Sequence, residues 1–237
     1  MFWWHREVSP GIRVAFTDTG AGNLAFHVGA DPEAVSRNRA VLERELGTGD
    51  RRLQFMDQVH GSTVAEVALG DYVAGTGPTA DAMVSGDVPL AVMVADCVPV
   101  VLLGRMADGA PLAAVAHAGR PGVAGQVVPK TVAAMRARGA EGIRAWLGPS
   151  VCGECYEVPE AMRADVAAIE PAGYATSRWG TPALDLPAAV LSQLAALDIE
   201  AERIPGCTFE EPSLFSYRRD GNGSQAGRIA GVIHAGS

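Results

Sequence analysis

The sequence predicts one α/β domain built on a mixed sheet, and three observations carry that expectation. The chain has 237 residues, enough for one sizeable core or for two small domains sharing one. Apolar residues make up 48% and aromatic residues only 6%, so alanine, valine and leucine must fill the core, which suits a layered protein and not a disordered chain. Short β-branched runs alternate with segments of helical spacing, and no repeat, low-complexity block or long linker interrupts them. Residues 1–237 are therefore read as a single domain.

Residues 8–16 read as a strand, with a turn over 20–23. Asp31 then stands as N-cap before Pro32 and Glu33. Val35, Asn38, Arg39, Leu42 and Leu46 follow at helical spacing, and Gly47 stops the helix. A strand is expected over 53–60, broken by Gly61, and strand composition resumes over 63–67. Residues 71–78 read as a loop and 82–85 as a brief strand. Runs 90–95 and 98–103 have the β-branched composition of strand buried on both faces, and 112–116 is another strand. Residues 119–125 look like a loop leading into a helix over 127–138 that Gly139 ends. A strand over 143–147, a loop over 148–157 and a helix over 159–170 come next. Residues 184–187 lead into a helix over 188–197. A short strand over 202–204 and a last strand over 228–234, after the segment 215–227, complete the chain.

Composition also excludes some functions. The net charge is −8, and the 19 lysines and arginines form no dense cluster beyond Arg218-Arg219. A nucleic-acid partner needs many cationic contacts and is not expected, whereas a nucleoside or other small ligand fits. The first residues lack the apolar core of a secretory signal. The longest apolar run, 88–103, carries Asp96 and two prolines and is too short for a membrane span. Cys97, Cys152, Cys155 and Cys207 are too few for a disulfide scaffold in a chain this long. A cytoplasmic protein with reduced thiols, acting as a monomer, is the expectation.

Three soft side chains end apolar runs: His60 in QVHG, Cys97 after AVMVAD and His117 after PLAAVA. Two histidines and a cysteine with a fourth position left open is an arrangement used by catalytic zinc. The same residues are compatible with simple packing, in which Cys97 is a small hydrophobe. Cys97 with His117 alone would make a nucleophile–base pair. Asp96 reads as a structural carboxylate bonding loop amides, with a role as general acid the alternative. Cys152-Gly-Glu-Cys155 lacks the second pair of a zinc knuckle and sits in a loop-like context, so a redox role is disfavoured. Arg39, Arg120 and Arg218-Arg219 are candidate anion binders, because guanidinium fits phosphate as a fork. Trp3 and Trp4 are expected to cover an edge of the core.

Eight segments in order across the chain together resemble the laccase-domain family, also called YfiH-like or multicopper polyphenol oxidase. They are NLAFHVGADPEAVSRNR (23–39), QVHGSTV (58–64), ADAMVS (80–85), ADCVPV (95–100), AHAG (116–119), GPSVCGECYEV (148–158), LDLP (184–187) and SYRRDG (216–221). The resemblance implies a layered α/β/β/α sandwich related to the catalytic domain of cytotoxic necrotizing factor toxins. It implies a catalytic zinc on His60, Cys97 and His117, with copper the less favoured metal. It implies phosphorolysis of adenosine, inosine and methylthioadenosine, with purine nucleosides and phosphate as partners, and adenosine deamination. Arg39 and Arg120 are the matching candidates for phosphate, and Asn23 and Gln58 for hydrogen bonds to substrate or to a zinc ligand. The chain departs from the family pattern in two places. HAGRPG replaces the common HAGWRG, so Arg120 comes one place early, and Thr19 stands where an arginine is common. Two rival readings are a cysteine hydrolase using Cys97 and His117, and a non-enzymatic zinc protein acting in cell-envelope growth.

Overall fold

The computed structural model describes residues 1–29, 31–71, 77–221, 223 and 226–235. Strand β1 (Phe2–Ser9) and strand β2 (Ile12–Thr17) form an antiparallel hairpin. The single strand expected over 8–16 is therefore two, because Pro10 and Gly11 supply the turn, with Gly11 at φ 72°. Trp3 and Trp4 pack from β1 against the core edge, as their position suggested. Helix α1 (Pro32–Leu46) starts where the Asp31 carboxylate accepts the Glu33 amide at 3.0 Å and ends at Gly47, φ 72°. These are the N-cap and the left-handed C-terminal glycine that the sequence announces.

Residues 53–60 do not form the expected strand. Gln54 bridges to Leu90 of a sheet's edge strand and Asp57 to Thr79, so the segment makes only isolated bridges. Strand β3 (Val64–Glu66) follows, and much of the loop read over 71–78 lies outside the described residues. Then come β4 (Ala82–Ser85), β5 (Leu90–Val94), β6 (Val98–Arg105) and β7 (Pro111–Ala118). Residues 119–125 are not a loop but hold helix α2 (Arg120–Ala124), in which Pro121 occupies the first turn, where its missing N–H costs nothing. Helix α3 (Val127–Ala137), β8 (Glu141–Leu147), α4 (Glu160–Ile169), β9 (Tyr174–Thr176), β10 (Pro182–Leu184), α5 (Leu186–Ala195), β11 (Glu200–Arg203), α6 (Tyr217–Asp220) and β12 (Ile229–Ala235) complete the chain.

Among the described residues the strands form two large sheets and one small antiparallel pair, β10-β9. One large sheet has the order β1-β2-β12-β5 and is antiparallel throughout; the other is mixed, in the order β11-β8-β6-β7-β4-β3. Alternation along the strands sorts their side chains into layers. Ile12, Val14 and Phe16 of β2 face Val101, Val115 and Trp146 of the other sheet. Ala15 of β2 and Val232 of β12 face outward onto Leu42 and Leu46 of α1. Val98, Val100 and Leu102 of β6 face the opposite way, onto Val127, Val132, Val166 and Val190 of the remaining helices. The order of layers is helix, sheet, sheet, helix, in one mixed α/β domain. Small β-branched and alanine side chains let two sheets approach with few aromatics, as the composition required.

The chain changes sheets between β5 and β6. Asp96 makes that corner with φ 84°, a left-handed conformation uncommon for a residue with a side chain. Cys97 is the residue directly after it. This corner, the end of β7 and the 58–61 bend meet at one edge of the sandwich.

Candidate metal centre and active site

His60, Cys97 and His117 each offer a ligand atom, and these atoms all lie within 4.8 Å of one another. His60 Nε2 is 3.9 Å from Cys97 Sγ, and the two imidazole rings stand edge to face with centroids 4.6 Å apart. His60 is exposed, Cys97 half-buried and His117 buried. The groups thus form a graded wall from solvent to interior.

Asp81, wholly buried, holds this set together, and sequence reading gave it no role. Its carboxylate accepts His117 Nδ1 at 2.8 Å, the His60 amide at 3.0 Å and the Gly61 amide at 2.6 Å. An ionised carboxylate only accepts, so Nδ1 of His117 carries its proton here and Nε2 is left for the site. The same bonds fix the bend at His60, which has φ 60°. The signal was present in ADAMVS, but an aspartate one residue before a strand has nothing in its neighbourhood to mark it.

Gly119 closes the site from the other side. A Cβ there would stand 2.9 Å from Cys97 Sγ and 3.1 Å from His60 Cδ2, so only a bare backbone leaves room between the donors. Burial by itself would raise the Cys97 thiol. The charge of His117 and hydrogen bonds from His117 and His60 outweigh it and bring Cys97 down to about 6. Burial would lower His117; the Cys97 charge and the Asp81 bond prevail and raise it to about 9. Without metal, the pair is thus a thiolate beside an imidazolium.

These residues open into a cavity of about 740 Å³, within the usual range for a small-molecule site. Arg120, Arg218 and Arg228 bring positive charge to its wall, and Met93, Tyr156 and Leu186 bring apolar surface. The Arg218 guanidinium lies 4.9 Å over the Tyr156 ring. Burial lowers the Arg228 guanidinium below its ordinary value, with the charges of Cys97 and Asp96 opposing. Sequence reading missed Arg228 and Tyr156, which only the folding of β12 and the 148–157 loop brings to the cavity.

The remaining candidates are placed as follows. Gln58 lines the cavity, but its amide is engaged with the Met93 backbone, donating to its carbonyl at 2.7 Å and accepting its N–H at 2.9 Å. Asn23 accepts the Arg228 amide at 3.0 Å and donates to the Ala25 and Val28 carbonyls, behind the wall. Arg39 lies 3.6 Å over the Phe55 ring, donates to the Leu24 carbonyl and reaches the Met93 thioether at 3.7 Å. Neither Asn23 nor Arg39 is among the lining residues. Arg219 turns from the cavity to the carbonyls of Thr208 and Leu214. Asp96 accepts the hydroxyls of Thr208 and Ser216 at 2.6 and 2.7 Å and the Arg218 amide at 2.6 Å, a structural task in which two hydroxyls join the loop amide that was expected.

The model of the multi-copper polyphenol oxidoreductase laccase family matches residues 13–236. The chain belongs to this family. It is 45% identical to a purine nucleoside phosphorylase of Streptomyces coelicolor, over 96% of this chain and 97% of that one. It is 40% identical to a purine nucleoside phosphorylase of Corynebacterium glutamicum, over 94% of each. Among solved structures it is similar to YlmD from Geobacillus stearothermophilus, with a TM-score of 0.84 and 27% identity over 96% and 93% of the two chains. It is also similar to a Neisseria meningitidis protein, with a TM-score of 0.81 and 31% identity over 97% and 96%. Among the described residues, no helix of this laccase-family chain is long and apolar enough to cross a membrane.

Proposed function

We propose that this laccase-family protein is a zinc-dependent purine nucleoside phosphorylase acting on adenosine, inosine and methylthioadenosine. The observation that carries the proposal is the convergence of His60, Cys97 and His117 at the floor of a cavity whose wall holds three arginines. The donor set fits zinc: two imidazoles and one thiolate, one imidazole oriented by a buried carboxylate, and a glycine where a side chain would fill the space. Copper fits less well. The Met93 thioether that could serve as a weak fourth ligand is turned to Arg39. Bound zinc would supply Lewis-acid polarisation of an oxygen held beside it.

The chain's own residues do the rest. Arg120, Arg218 and Arg228 bind phosphate and offset its charge as it approaches C1′ of the ribose. A phosphate oxygen bonds to C1′, the C1′–N9 bond breaks, and the purine leaves with the electron pair. Met93, Tyr156 and Leu186 pack against the purine and exclude water, so that phosphate wins over hydrolysis. Asn23 and Arg39 act from behind the wall, through the Arg228 backbone and Met93, and Gln58 holds the wall at Met93. Adenosine deamination is the accompanying activity we assign to the same centre. We place the enzyme in the cytoplasm, where the four free cysteines stay reduced.

A nucleoside panel with and without phosphate tests this reading. Zinc-loaded enzyme is expected to convert inosine to hypoxanthine and ribose 1-phosphate only when phosphate is present. Absence of both products would overturn it. The lowered Cys97 thiol favours one second reading, a cysteine hydrolase with His117 as base. That reading requires activity that survives chelation and is lost on alkylating Cys97.

A further inference from the structure

Away from the cavity floor, a second set of soft donors meets. Cys152, Cys155, Cys207 and Glu210 each present one ligand atom, and these atoms lie within 4.8 Å of one another. The first two belong to one turn, in which the Cys155 amide bonds the Cys152 carbonyl at 3.0 Å. The other two belong to a second turn, in which the Glu210 amide bonds the Cys207 carbonyl at 3.1 Å. The turns are already joined, since Ser150 bridges to Cys207 and the Cys152 amide reaches Cys207 Sγ at 3.5 Å.

We propose that Cys152, Cys155, Cys207 and Glu210 form a second metal site, a closed structural one for zinc. The missing second pair of the CxxC motif is thus supplied by a cysteine and a carboxylate from far along the chain. Four protein ligands of this kind match a structural zinc, and thiolates select a soft or borderline ion. With Zn–S bonds of about 2.3 Å, tetrahedral thiolates stand about 3.8 Å apart, so the cluster needs only a small contraction. Arg178 pairs with Glu210 at 2.6 Å and Glu154 at 3.5 Å, which places a cation against the surplus negative charge of a three-thiolate, one-carboxylate site. A cavity of about 340 Å³ beside Cys152 and Cys207 lets an ion in. A disulfide would use two of the thiols and leave the third outside the bond.

The site would brace the active cavity. The Val151 amide bonds the Asp96 carbonyl at 3.0 Å, and Thr208 bonds the Asp96 carboxylate at 2.6 Å, one residue from Cys97. Val151 and Tyr156 line the cavity itself. Tying the two turns together therefore fixes both the corner that carries Cys97 and one wall of the cavity.

Metal analysis of a His60→Ala/His117→Ala variant isolates the second site. That protein, dialysed after zinc loading, is expected to keep one zinc per chain, and adding Cys207→Ser is expected to abolish it. No retained zinc, or zinc that survives Cys207→Ser, overturns the proposal. Should the triple variant fail to fold, differential alkylation of the wild-type protein decides the matter. Zinc-loaded protein is expected to shield Cys152, Cys155 and Cys207 until a chelator is added, with Cys97 as the separate reporter of the first site. Equal labelling of the three with and without zinc, or a disulfide joining two of them in the zinc-loaded protein, overturns the proposal.

Discussion

Replacing Asp81 with asparagine keeps the shape of the buried side chain and removes its charge. In the wild type the carboxylate accepts His117 Nδ1 at 2.8 Å and the amides of His60 and Gly61 at 3.0 and 2.6 Å. Asparagine has one oxygen left to accept, and its NH2 would face groups that are themselves donors. A hydrogen bond to a charged group contributes about 1.5–3 kcal/mol, and a buried donor left unpaired costs about 1–3 kcal/mol. Loss of a carboxylate that orients a metal-binding histidine commonly weakens the metal by about 10–100-fold, or about 1.4–2.7 kcal/mol, a similar size. Competition of the folded Asp81→Asn protein against a chromophoric chelator should therefore show zinc held at the first site at least about tenfold more weakly. The pH dependence has a definite sign. Burial would raise Asp81, but the His117 bond and the backbone amides hold it below the ordinary carboxylate range. Its contribution is present above the ordinary value and is lost as pH falls through the lower folded value. The stability gap between wild type and variant should thus narrow in acid. Unchanged zinc affinity in a folded variant would refute the claim that Asp81 sets His117 for a ligand.

Four further outcomes are expected. In metal-free protein, Cys97 should react with iodoacetamide at a rate that climbs through pH about 6 and then levels, and a climb centred near the ordinary thiol value would contradict the pairing with His117. The pair's contribution to metal-free stability is lost as pH falls through about 6, where Cys97 takes a proton, and as pH rises through about 9, where His117 loses one; thermal melts across that range should peak between the two. Gly119→Ala, which would put a Cβ 2.9 Å from Cys97 Sγ, should abolish zinc binding at the first site while circular dichroism stays native. Arg228→Ala should raise the KM for phosphate about tenfold or more while the nucleoside KM moves less, as expected for one lost charge-assisted contact; equal effects on both would point to a collapsed wall.

Local features were legible where the sequence carries its own punctuation. Asp31, Pro32 and Gly47 bound α1 almost to the residue, and apolar runs mark β6 and β7. Punctuation also misled. Gly119, Pro121, Gly122 and Gly125 read as loop, yet a proline in the first helical turn is compatible with α2. Residues 53–60 have strand composition but make only isolated bridges at Gln54 and Asp57, which depends on tertiary placement and not on propensity. At the site, His60, Cys97 and His117 stand out because each ends an apolar run before a glycine or proline. Asp81, Tyr156 and Arg228 do not, since only the tertiary fold brings Tyr156 and Arg228 to the cavity and Asp81 behind His117. Asn23 and Arg39 carry suitable chemistry, but the fold spends it on the Arg228 amide and on the Phe55 ring.

Phosphorolysis of inosine, followed by one enzyme preparation through zinc loading, chelation and zinc restoration, tests the central claim most directly. The account predicts phosphate-dependent hypoxanthine release by the loaded enzyme, loss on chelation, recovery on adding zinc back, and none of these in Cys97→Ser. Full activity in the chelated enzyme, or inosine left untouched by fully loaded enzyme with phosphate present, would contradict it.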